Sequence, residues 1–173
     1  MGVDGSDNRL REVQRTLPRL FSNLTVISTL GVKPPGGCHF PAEGYAKFAE
    51  YLQPIMQHHL YGKPRTQFGS PNLQRARFAD ANRDEVILEF DQPMRWDAEL
   101  ISQFYLNGKN EQVLSGAVNT ATDGRQVILK LKPGTQADRI TYLDSARWNP
   151  EKLLYGENGV AALTFCDVLI ELP

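Results

Sequence analysis

The stretch GGCHFPAEGYAKFAEYL, Gly36 to Leu52, places His39 between a Gly/Pro-rich approach and an amphipathic pattern. A histidine so placed can take a proton from a serine hydroxyl, provided an acceptor orients its other ring nitrogen. The local candidate for that serine is Ser6, in VDGSDN. No strand pattern precedes it, and Asp, Gly, Ser and Asn are the residues of a turn that starts a helix. The remaining histidines, His58 and His59, are adjacent on a helical pattern, so they do not share a face and make a poor metal pair. Cys38 and Cys166 are far apart and read as two free thiols, with neither a disulfide framework nor zinc-site spacing. DANRDE, ATDGR and GENG set acidic residues beside glycine, without the spacing of an EF-hand calcium loop. No cofactor motif and no metal site is expected.

Aromatic rings offer a second chemistry. Trp96, Trp148, Tyr105, Tyr142 and Tyr155 could stack on pyranose faces, but at strand spacing such residues more often pack a core. Trp96 and Trp148 lie in turn-like contexts and are the better candidates for exposure.

The elements that must hold these residues divide near residue 65. NRLREVQRTLPRLF sets Leu10, Val13, Leu17, Leu20 and Phe21 on one helical face, with Asp7 or Asn8 as N-cap and Pro18 as the breaker. LTVISTL, at Leu24–Leu30, reads as a short buried strand, and GVKPPGG as a loop. Tyr45, Phe48, Ala49, Leu52, Ile55, Met56 and His59 then recur at helical spacing, predicting a helix from about Pro41 to His59. YGKPRTQFGSPN is a linker without periodicity. Beyond it LQRARFA, DEVILEF, QFYLNG, RQVILKLK, RITYLDS and LTFCDVLIEL alternate with period two between turn signals, predicting an antiparallel β-sandwich of about a hundred residues.

The resulting fold class is α+β, with residues 1–64 and 65–173 as separate units. The second can make a core by itself. The first has one strand and two amphipathic helices with no sheet to cover, as in the tail of a larger α/β sheet. Its apolar faces should therefore lie against the sandwich, against a second copy, or against a larger body. The 173 residues carry a net charge of −1, with Lys and Arg scattered, which leaves no electrostatic footprint for nucleic acid or an anionic membrane. No apolar run reaches the roughly 18 residues of a membrane-spanning helix.

LREVQRTL, LTVISTL and GCHFPAEGYAKFAEYLQPIM together resemble the C-terminal part of the SGNH/GDSL hydrolase superfamily, in its bacterial sialate O-acetylesterase-like branch. The marks are Arg11 and Gln14 on a late helix, then His39 with Phe40, then Gly44 with Tyr45. FDQPMRW, ITYLDSARWN and NGVAALTFCDV resemble the all-β domain that follows the hydrolase core in some of these proteins. The resemblance implies a flavodoxin-like α/β/α core completed by residues 1–64, an immunoglobulin-like or accessory β-sandwich in 65–173, and His39 as the catalytic histidine. The reaction would be hydrolysis of an acetyl ester on a sugar, in a periplasmic or secreted setting. The family's serine and oxyanion donors lie far upstream, so such a chain supplies the base but not the nucleophile and is inactive alone. The family also has an Asp three residues before the histidine, where this chain has Gly36. Some members orient the ring with a backbone carbonyl instead. The alternative is a non-catalytic carbohydrate- or protein-binding sandwich with a helical dimerisation arm.

Overall fold

In the computed structural model, residues 8–35, 39–64 and 68–173 are described. The fold is α+β. Helix α1 spans Asn8–Thr16 and tightens into a single 3-10 turn at Leu17–Arg19. Pro18 sits inside that turn, where its missing N–H and fixed ring stop the α-helix. Leu10 and Val13 do share a face, but that face points to solvent, with 51% and 56% of their surfaces exposed. The residues turned inward are Arg11 and Arg15, 1% and 2% exposed. The helix therefore does not lay its apolar side on the β-rich part of the chain.

The reason lies in the sheet beneath it. Strand β1 is Leu73–Phe78 and strand β9 is Phe165–Glu171. They pair in parallel only at Ala76–Ile170 and Arg77–Glu171. Where they splay apart, side chains of α1 replace the missing ladder. Arg15 donates to the Leu73 carbonyl at 2.8 Å and to Asn72 at 2.9 Å, and Arg19 reaches the same carbonyl at 3.0 Å. Glu12 accepts the Cys166 N–H at 3.0 Å. Arg11 Nε donates to Thr164 at 3.1 Å. Glu12 also takes a two-pronged bond from Arg15, at 2.8 and 2.6 Å, so the buried guanidinium is both paired and hydrogen-bonded. Buried backbone groups must be satisfied, and here charge does that better than an apolar stripe could.

Leu24–Leu30 belongs to no strand and ends in a turn at Leu30, which corrects the expected buried strand. Ser28 and Leu30 are buried, and the Ser28 N–H donates to Ser70 Oγ at 2.7 Å, but no strand among the described residues offers it a ladder. Helix α2, Ala42–Tyr61, lies within two residues of its expected bounds. It ends at Gly62 with φ of 64°, where the Gly62 N–H bonds the His58 carbonyl and the Lys63 N–H the Gln57 carbonyl, a left-handed stop that glycine makes without strain. It rests on neighbouring loop segments: His59 Nε2 lies 3.1 Å from Thr25 Oγ1, and the His58 ring packs 5.3 Å from Phe68. No helix among the described residues is long and apolar enough to cross a membrane.

The β-rich part adds β2 (Glu85–Phe90), β3 (Met94–Arg95), β4 (Phe104–Leu106), β5 (Val113–Asn119), β6 (Gln126–Leu131), β7 (Arg139–Tyr142) and β8 (Tyr155–Gly156). Seven strands form one sheet in the order β4-β7-β9-β1-β2-β6-β5, and β3 pairs with β8. A 3-10 segment, Ala98–Gln103, packs against both outermost strands, β4 and β5, and the sheet is barrel-like. All six expected strand segments are present, and every adjacent pair is antiparallel except β1 with β9, which corrects the purely antiparallel expectation at that pair. Strand β5 escaped the sequence reading. Its alternation is diluted by Ser115, Gly116 and Ala117, a bulge interrupts it between Val113 and Ser115, and only Val113 is fully buried. Inside the roll, Phe104, Tyr142 and Phe165 pack ring to ring, with centroids 5.2 to 6.5 Å apart.

Candidate functional site

His39 stands just ahead of α2, with its ring exposed. Its Nδ1 lies 3.3 Å from the hydroxyl of Tyr45, six residues further on in the first turn of α2. Tyr45 is fixed by the start of α2, where its N–H bonds the Pro41 carbonyl at 3.1 Å. The Phe40 ring meets the Tyr45 ring edge-on at 5.8 Å and stacks on Phe48 at 6.5 Å. Gly44 permits this arrangement. A Cβ there would stand 3.0 Å from both Phe40 Cβ and the Pro34 carbonyl oxygen, so a larger residue would push the loop and the helix a few tenths of an ångström apart. The result is a compact aromatic step that presents one imidazole to solvent. None of the ion pairs among the described residues involves His39. Ser6, Gly36 and Cys38 lie outside the described residues.

The other residues picked out from sequence are scattered. Arg11, half of the Arg11–Gln14 mark, is used in seating α1 on Thr164, and within the helix it also donates to Asn8. Tyr105 and Tyr142 are core residues, 2% and 0% exposed, while Trp96, Trp148 and Tyr155 pack half-buried against the core. Tyr142 accepts the Leu154 N–H at 2.6 Å, and its complete burial pushes its ionisation well above the usual tyrosine range. Burial likewise pushes the Cys166 thiol up, with Asp167 adding to the effect, so Cys166 is no activated thiolate. His58 Nδ1 lies 2.8 Å from the Lys63 carbonyl, a helix-end role.

One feature that sequence reading did not isolate is a groove of about 470 Å³ bordered by Trp96, Asp97, Glu99, Glu151, Lys152 and Tyr155. Charged side chains bridge parts of its border, Lys152 to Glu99 at 3.4 Å and Arg95 to Glu157 at 3.1 Å. Trp96 gives it little free ring surface, because the indole lies over Gly116 and stacks on Phe104 at 5.8 Å. The signal in the sequence was the pair of turns, QPMRWDAE and SARWNPE, that the fold sets around Leu153 and Tyr155.

No family model matches this chain, and no curated protein matches it. Among solved structures, it is similar to the crystal structure of the S-layer protein rSbsC(31-844) at 15% sequence identity and a TM-score of 0.40, a match that covers 76% of this chain and 16% of that one.

Proposed function

We propose that this chain is the C-terminal portion of a carbohydrate O-acetylesterase-like hydrolase of the SGNH type. In this reading residues 1–64 complete a flavodoxin-like α/β/α core, residues 65–173 form its accessory β-rich domain, and His39 is the general base. The observation that carries the reading is the orientation of α1. Its charged side is consumed by β1 and β9, while Leu10, Val13, Leu20 and Phe21 face outward, as they would if a larger α/β sheet covered them. The exposed His39 at a loop-to-helix junction supports the same reading, since functional groups of open α/β sheets gather beside such loops. The missing sheet would bring the serine and its oxyanion donors to the imidazole. The serine hydroxyl would then attack the acetyl carbonyl as His39 takes its proton. The acetyl–sugar C–O bond would break as His39 passes that proton to the departing sugar oxygen, and water, deprotonated by His39, would hydrolyse the acetyl-enzyme to acetate and free serine. The substrate class is an acetylated sugar, and the setting periplasmic or secreted.

The test compares hydrolysis of a chromogenic acetate by the 173-residue chain and by a polypeptide that also carries the reading frame preceding it, each with a His39→Ala control. The expected outcome is no activity above control for the chain alone. The longer polypeptide should be active, losing at least about a thousandfold on His39→Ala. A longer polypeptide that is inactive, or indifferent to His39, would refute the reading. The groove beside Trp96 and Tyr155 favours a second reading, a carbohydrate-binding module with its helical segment as a dimerisation arm. Glycan binding lost on Trp96→Ala, together with no esterase activity in the longer polypeptide, would select it.

A further inference from the structure

We infer that Tyr45 is the positioning residue of His39. Its hydroxyl accepts a hydrogen bond from Nδ1–H and so leaves the Nε2 lone pair free to take a proton. This inference rests on the reading of His39 as a general base. An imidazole is useful as a base only when the nitrogen facing the nucleophile carries no proton, and that tautomer is set by what the other nitrogen bonds. In this chain the segment before the histidine contains no acidic residue between Gly31 and Cys38 to do so. The described structure supplies a different partner, the Tyr45 oxygen, 3.3 Å from Nδ1.

Three features make this more than a chance contact. Tyr45 projects from the first turn of a 20-residue helix, and its own N–H is tied to the Pro41 carbonyl, so its backbone is fixed. Its ring is gripped edge-on by Phe40, the residue next to His39, and Phe40 is braced in turn by Phe48. Gly44, beside Tyr45, is the residue whose lack of a side chain lets Phe40 and the Pro34 carbonyl close on the helix. Tyr45 and Phe40, the residue next to His39, thus belong to one aromatic cluster. A phenol is a weaker orienter than a carboxylate, because it carries no charge to stabilise the imidazolium that forms. It fixes ring direction and tautomer, and the oxyanion donors must do the remaining electrostatic work.

The tautomer can be read in the 173-residue chain without any catalysis. In long-range nitrogen-15 spectra at alkaline pH, where imidazoles are neutral, His39 should be mainly Nδ1-protonated. Tyr45→Phe, which keeps the ring and its packing on Phe40, should return it to the Nε2-protonated form usual in solution. The thermal midpoint should be unchanged by this substitution, which separates positioning from a structural role. A wild-type ring protonated mainly at Nε2, or a tautomer indifferent to Tyr45→Phe, would overturn the inference. Tautomer control by Tyr45 alongside an inactive longer polypeptide would instead keep the hydrogen bond and its tautomer but remove the esterase reading, and with it Tyr45's part in positioning a base.

Discussion

Gly116 and the indole of Trp96 occupy one space. A Cβ at Gly116 would lie 2.1 Å from Trp96 Cζ2, and the ring is also stacked on Phe104. Gly116→Ala must therefore move a rigid ring pair or bend β5, and overpacking of this kind costs about 1–3 kcal/mol. The expected result is a lower urea midpoint accompanied by a shift in tryptophan emission. An unchanged midpoint would show that Trp96 swings freely into the groove. His39 and Tyr45 illustrate what single residues disclose in a sequence. The setting between a loop and a helix singles out the histidine, and the resemblance singles out Gly44 and Tyr45. The hydrogen bond between His39 and Tyr45 was not legible, because a contact six positions apart depends on where α2 begins.

At the scale of elements, α1 departs from the rule that an amphipathic helix buries its apolar stripe. The spacing of Leu10, Val13, Leu17, Leu20 and Phe21 forecast one helical face, and the structure keeps only Leu10 and Val13 on α1, with Leu17 in the 3-10 turn and Leu20 and Phe21 beyond it. It could not forecast which face is used, because that is decided by unpaired groups on Leu73 and Cys166, far away in sequence. Leu24–Leu30 failed as a strand for a related reason: composition shows that a run can be buried, but a strand exists only where a partner strand does. The exposed face has a measurable consequence. With Leu20 and Phe21 at 77% and 54% exposure, the isolated chain should self-associate as its concentration rises. The double variant Leu20→Glu, Phe21→Glu should sediment as a monomer with an unaltered thermal midpoint, since neither residue is buried. A monomeric wild type across the accessible concentration range would count against an interaction face there.

The whole molecule draws its core from the rolled sheet, and period-two alternation made most of that sheet legible. The parallel β1–β9 pair and the closure by Ala98–Gln103 were not, being facts of strand order rather than of local pattern. One buried and two half-buried weak acids impose a pH limit on this core. Tyr142, Tyr155 and Cys166 are all pushed up chiefly by burial, so the folded chain holds these protons more tightly than the unfolded chain does. That contribution is complete below the unfolded values, about 8.5 for thiols and 10 for phenols, and is lost as pH rises through the higher folded values. The thermal midpoint should accordingly hold level to about pH 8 and fall steeply by pH 11, with Tyr142 dominating the upper part. A level midpoint across that interval would mean that these groups ionise without unfolding.

The seating of α1 on the β9 side has a consequence in time. The contact of Arg11 with Thr164 spans 153 positions, and that of Glu12 with Cys166 spans 154. A ribosome adds about 5–20 residues per second, so α1 emerges on the order of ten seconds before the residues that seat it exist. Nine residues cannot sustain a helix alone for that interval. Helix α1 is thus made well before it can be seated, and until β9 is in place it is an open, leucine-bearing segment suited to capture by a chaperone.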